Sequence, residues 1–209
     1  MQKELLKVST TLRGKMKGMT VITSSCTDNP HCKKLSKIEG AICTHCYAHR
    51  SLAYMKGPRE AYIKNGKLLS SGIIPKNELP FVNASFCRLE SHGDLINETH
   101  LQNYVNLCKK NSHCKFSLWT KVYDLVYDYF KTHKAPRNLT VIFSSLMVNQ
   151  QMNIERYKAL GLKCKVFTVY DKQYLKTHPD VNINCGARSC ITCAKCYTSK
   201  EEVINEIQK

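Results

Sequence analysis

Short β-branched and aromatic runs recur along this chain, and stretches with helical spacing separate several of them. Residues 20–23, 81–86, 115–119, 139–143 and 165–169 predict five strands. A shorter run at 181–184 predicts a sixth, leading into Cys185. The helical signal is clearest where Val122, Leu125, Val126, Tyr129 and Phe130 fall on one apolar face. Leu101, Tyr104, Val105 and Cys108 do the same after Asn97, a residue suited to an N-cap. Ile154, Tyr157 and Leu160 predict a shorter helix after Asn153, closed by Gly161. Another is expected near 58–69, with Pro58 at its start. Ser199-Lys-Glu-Glu202 has the form of a capping box and predicts a last helix carrying Val203, Ile204 and Ile207.

Strands alternating with helices imply an α/β fold built by right-handed crossovers. The pattern allows an open sheet or a small or incomplete (β/α) barrel of five to six mainly parallel strands. No linker or long repeat divides residues 1–209, so one domain is expected. In such folds the chemistry collects where strands end. Cys26, Cys87, the run at 90–94, Lys121, Ser144 with Ser145, Asp171 and Cys185 all follow expected strands.

Of twelve cysteines, eight fall into two sets. Cys26, Cys32, Cys43 and Cys46 form an N-terminal loop set, and Cys185, Cys190, Cys193 and Cys196 a C-terminal one. Each ends in Cys-x2-Cys-Tyr. Four thiolates suit one tetrahedral zinc or one cubane iron–sulfur cluster. Neither set has the paired knuckles of a zinc ribbon. The 190–196 segment packs three thiols closely, in the manner of a ferredoxin run, and the 32–43 loop is long and polar. These features favour a [4Fe-4S] cluster at each set. Zinc is the alternative, with His31, His45 and His49 as replacement ligands for the first. Cys87, Cys108, Cys114 and Cys164 read as core. Residues 90–94 (Glu-Ser-His-Gly-Asp) make Glu90, His92 and Asp94 candidates for holding a ligand amine or for acid–base work. The competing reading is a capped turn before the helix after Asn97.

The formal charge of +16 attracts polyanions, but lysine supplies most of it, and arginine is the better reader of bases. Two clusters at about −2 each would leave roughly +12. Nucleic-acid binding is therefore expected to be weak and non-specific. No stretch resembles a secretory leader or a membrane span, so a cytoplasmic setting is expected. In a reducing cytoplasm, clustered thiols point to metal or redox chemistry rather than to disulfides.

Four stretches together resemble the gene product 88 family of phage-encoded proteins. They are Cys43-Thr-His-Cys46-Tyr47-Ala48, Arg88-Leu-Glu-Ser-His-Gly-Asp94, Phe116-Ser-Leu-Trp119-Thr120-Lys121 and Cys193-Ala-Lys-Cys196-Tyr197. His92 stands where the family usually has serine, and Lys121 where it has arginine. The resemblance implies a phage-encoded iron–sulfur protein, acting in the host cytoplasm, with a TIM-barrel-like fold close to the radical S-adenosylmethionine barrel. The Cys-x3-Cys-x2-Cys signature of that superfamily is absent. A four-thiolate cluster has no open iron, but Cys32, Cys43 and Cys46 without Cys26 would leave one.

The leading expectation is electron transfer or a redox-linked reaction, with a redox protein or small molecule as partner. One alternative is an S-adenosylmethionine enzyme working near residues 90–94. Another is a zinc-stapled basic module that binds nucleic acid or a host protein.

Overall fold

The computed structural model describes residues 5–208. A two-residue strand β1 (Ser9–Thr10) precedes β2 (Thr20–Ile22), α1 (Pro30–Leu35), a 3-10 turn (Ile42–His45), α2 (Tyr47–Tyr54) and α3 (Lys56–Ser71). Then come β3 (Phe86–Leu89), α4 (Glu98–Lys110), β4 (Lys115–Thr120), α5 (Tyr123–Thr132) and β5 (Leu139–Ser144). The chain continues through α6 (Glu155–Lys158), β6 (Cys164–Tyr170), α7 (Lys172–Thr177), α8 (Cys190–Cys193), α9 (Lys195–Thr198) and β7 (Val203–Ile207).

The fold is mixed α/β around one seven-stranded sheet whose order is the chain order, and the sheet is not closed. Strands β2 to β7 run parallel to their neighbours, and only β1 is antiparallel.

Side-chain alternation gives this sheet two unlike faces. Cys87 and Leu89 of β3 stand beside Phe116 and Leu118 of β4, which stand beside Leu139 and Val141 of β5. This face meets the apolar stripes of α4 and α5, including Leu101, Tyr104, Val105, Val126 and Phe130, to form the main core. Asn97 caps α4 by accepting the His100 N–H, an interaction worth about 1 kcal/mol. The opposite face carries Val21, Arg88, Trp119, Ile142, Phe167 and Ile204. No long helix covers it. Met19 and the C-terminal segment with Cys185, Cys190, Cys196 and Tyr197 do so instead.

The helices expected from periodicity are present, with the one after Asn153 reduced to the single turn of α6. Three expectations need correction. The strand expected at 81–86 begins only at Phe86. Residues 181–184 form no strand, so Cys185 does not follow one; they lie beside β7, where Cys185 N–H donates to Asn205 O at 2.9 Å. The C-terminal capping box leads into a strand, not a helix. Val203, Ile204 and Ile207 belong to β7, where Ile204 packs beside Phe167 and the ladder to β6 outweighs local propensity.

Candidate functional site

The N-terminal set is assembled by the loops that leave β2, β3 and β5. Cys26 follows β2 and donates its backbone N–H to His92 O at 2.9 Å. Asn29 is fully buried and caps α1, accepting from His31 N–H and Cys32 N–H at 2.9 and 3.2 Å. Its amide donates in turn to Asp94 O at 2.6 Å. One asparagine thus ties the turn bearing Cys32 to the loop after β3, and Pro30 starts the helix where no N–H is needed. The turn bearing Cys43 is fixed to the loop after β5 by Ile42 N–H to Leu146 O, 2.9 Å, and by a bridge from Ala41 to Met147. Cys46 opens α2, and the Tyr47 hydroxyl donates to Ser91 O. Cys26, Cys32 and Cys46 then share one apolar cluster with Ala48, Leu52 and Tyr62.

The thiols of this set sense one another. A hydrogen bond from Cys26 holds Cys46 down at about 5, helped by the N–H groups of Ala48 and His49. Cys26 is pushed up by the same contact with Cys46 and by burial. Burial raises Cys32, and the nearby charges of Asp94, Cys46, Glu90 and Cys43 raise it further. Burial raises Cys43 despite the opposing charge of Lys121, which also helps to lower Cys46.

Residues 90–94 form the wall beside these thiols. Glu90 takes a left-handed backbone with φ of 57°, and its carboxylate is enclosed. It accepts from Tyr104 OH at 2.5 Å, Ser24 Oγ at 2.8 Å and Ser24 N–H at 3.1 Å, with His100 Nε2 3.1 Å away. Burial pushes Glu90 up, but His100, Tyr104 and Ser24 more than offset it, leaving the group below its usual range. Asp94 accepts from Thr120 Oγ1 at 2.6 Å and from the N–H groups of Lys121 and Leu95 at 2.8 Å. Burial prevails there and raises its pKa. His92 lies between Tyr47 and Tyr62, with centroid distances of 5.9 and 5.3 Å. Burial, then the Arg88 charge, lowers it to about 4, so the ring is neutral at pH 7. Gly93 has no room for a side chain. A Cβ there would stand 2.7 Å from Glu90 Oε2 and from Ser24 O, and closer still to Ser24 Oγ. Lys121 Nζ donates to Ser144 Oγ at 2.8 Å, linking the ends of β4 and β5.

The C-terminal set lies across the face of the sheet covered only by the short helices α8 and α9 and their flanking segments. Ser189 caps α8, and Ala194, with φ of 46°, turns the chain into α9. That turn places Cys190, Cys193 and Cys196 close in space to Cys185, and the four lie within electrostatic reach of one another. Burial raises Cys196 to about 11, against the lowering effect of Arg88. Lys15 Nζ is 3.7 Å from Cys185 Sγ and pairs with Glu206. Buried Lys165 donates to Ser199 O at 2.8 Å and to Glu201 O, and its charge reaches Cys196.

The thiols of each set come within electrostatic reach of one another, and Glu90, His92, Asp94 and Lys121 lie beside the first. Among the described residues no three Cys, His, Asp or Glu side chains converge as they would on a single ion. The other four cysteines are buried, Cys87, Cys108 and Cys114 completely. Sequence reasoning missed Tyr104, His100, Ser24 and Asn29, whose roles exist only after folding. It quoted Arg88 and Trp119 without a role.

These features define a class: a mainly parallel α/β protein with one thiol set at its strand ends and another on its sheet face. The chain belongs to the gene product 88 family, whose model matches residues 2–208. No curated protein and no solved structure matches it.

Proposed function

We propose that this is an iron–sulfur protein holding two [4Fe-4S] clusters, one on Cys26, Cys32, Cys43 and Cys46 and one on Cys185, Cys190, Cys193 and Cys196. Its work is electron transfer or a redox-linked reaction on a small molecule. The carrying observation is that Cys26, Cys32 and Cys46 pack in one apolar cluster, while Cys185, Cys190 and Cys196 pack together on the face of the sheet opposite the main core. When bound, such clusters supply one-electron chemistry. The chain's own groups ligate them, and the apolar cluster around Cys26 keeps water away from the first. Glu90 and Asp94 have their oxygens engaged by protein donors, which fits them to shaping the loop. Protein purified without oxygen should be brown, with iron and acid-labile sulfide near two cubanes per chain. A colourless protein with stoichiometric zinc and no sulfide would end this reading.

One observation favours a second reading. Cys26 is buried, whereas Cys32, Cys43 and Cys46 are each partly exposed, which sets it apart from the other three. A cluster on those three would leave one iron open to S-adenosylmethionine. The six parallel strands follow one another in sequence order, as in an incomplete (β/α) barrel, and this set sits at their C-terminal ends. Titrating S-adenosylmethionine into the reduced protein should then change its electron paramagnetic resonance spectrum. No change, with all four thiols shown to be ligands, removes the enzyme reading.

A further inference from the structure

Arg88 stands on the face of the sheet opposite the main core, in register with Val21 on β2 and Ser117 on β4. Its guanidinium carbon lies 4.0 Å from the centre of the Trp119 ring, and Nη1 lies 3.4 Å from Met16 Sδ. Trp119 belongs to the apolar cluster that includes Cys185 and Cys196. Met16 belongs to the one that includes Cys190 and Cys196. The cation is therefore wedged between the two patches that carry three of the four C-terminal thiols.

Its own bonding is incomplete. Arg88 Nε is buried and has no acceptor, and a thioether is a weak one for Nη1. Among the described residues no carboxylate pairs with it. A guanidinium is always charged and carries five donors, so leaving it half-buried without an anion is costly. A planar cation stacked on an indole points its donors sideways along the ring plane, where an anion can meet them.

We propose that the missing anion is the C-terminal cluster itself, and that Arg88, held flat by Trp119, is the positioning residue that makes this cluster the more easily reduced of the two. This inference rests on the two-cluster reading. A cluster with four thiolates carries about −2 and gains one further negative charge on accepting an electron. A fixed positive charge beside it favours the reduced form, and so raises its midpoint potential. Lys165 adds to that field, and Lys15 does so against the Glu206 carboxylate it pairs with, which also reaches Cys185. The N-terminal set instead faces Asp94 and Glu90 as well as Lys121, so the same ligand chemistry there holds an electron less firmly. Arg88 acts through the cluster's charge and touches no substrate.

The test is a redox titration of the full chain, purified without oxygen and followed by electron paramagnetic resonance, with iron and sulfide measured on each sample. The wild type should show two potentials, and Cys193→Ala, which loses a C-terminal ligand, should lose the higher. Arg88→Gln should keep the iron and sulfide, lower that same potential and leave the other in place. Arg88→Lys should restore most of the loss. Unmoved potentials in a fully loaded Arg88→Gln protein overturn the inference, as does a shift confined to the lower potential or a lysine variant as low as glutamine. If Arg88→Gln does not fold, Trp119→Leu takes its place. Freeing the guanidinium should lower the same potential by a smaller step, and no change there also overturns the inference. A wild type without iron and sulfide ends the two-cluster reading and this inference with it. That outcome is distinct from a loaded protein whose potentials do not move.

Discussion

The two cysteine sets carry the same side chain and are held in opposite ways. The N-terminal set is built by backbone. Its thiols sit in turns fixed by Asn29, by the Cys26 N–H and by the Ile42 N–H, against a wall of buried acids. The C-terminal set is built by packing. It lies over Trp119, Phe167 and Ile204 and is ringed by Lys15, Arg88 and Lys165. The first faces the acids Glu90 and Asp94, at the strand ends where ligands meet α/β proteins. The second is less tied to the backbone and locally positive, with Cys193 exposed. Identical thiols thus acquire different chemistry from their surroundings.

The comparison breaks most visibly if one set is removed. Cys193→Ala should lose about half of the iron and sulfide, and its thermal midpoint should drop, because the set joins the sheet face to the last strand and binding is coupled to folding. Unchanged metal content and midpoint would show that this set is no site. The next effect belongs to the other region. Gly93→Ala drives a methyl group into Ser24 and Glu90 and should cost about 3 kcal/mol in denaturant unfolding. The surviving fold should still load the C-terminal set. A loss of both clusters would mean that the sets are not independent.

A smaller effect sharpens the acid wall. Glu90→Gln removes a charged acceptor from Tyr104 and Ser24 and should cost about 2 kcal/mol at pH 7. The folded pKa of Glu90 lies below its unfolded value of about 4.3. Its contribution is therefore complete above that value and is lost as pH falls through the folded one. Asp94 is raised, so its sign is opposite, and its contribution fades as pH rises. The wild type should therefore lose its advantage over Glu90→Gln on acidification. A stability gap that stays constant down to pH 3 would show that the Glu90 charge is not what the cage stabilises.

Much of this was legible in sequence. Two Cys-x2-Cys-Tyr endings marked the sets, and the stripes of α4 and α5 marked the core. The helix expected after Ser199 failed because a capping box is a local signal, whereas β7 is decided by its neighbour. The partners of Glu90 were invisible for a related reason: Ser24 and Tyr104 lie 66 and 14 residues away and meet it only in the fold. Arg88 was visible as a letter, but its unfilled Nε is a property of its surroundings.

The stretch before Cys185 has a further consequence. The outward edge of β7 does not stand bare. Asn205 N–H donates to Asn184 Oδ1, Asn184 Nδ2 donates to Val203 O, and Asn205 O accepts from Cys185 N–H. A side-chain amide occupies the place of an eighth strand. An exposed strand edge is a template for other chains, and here the guard runs directly into Cys185. If Cys185 holds a cluster as proposed, loss of that cluster should loosen the guard and open this edge of the sheet to other chains.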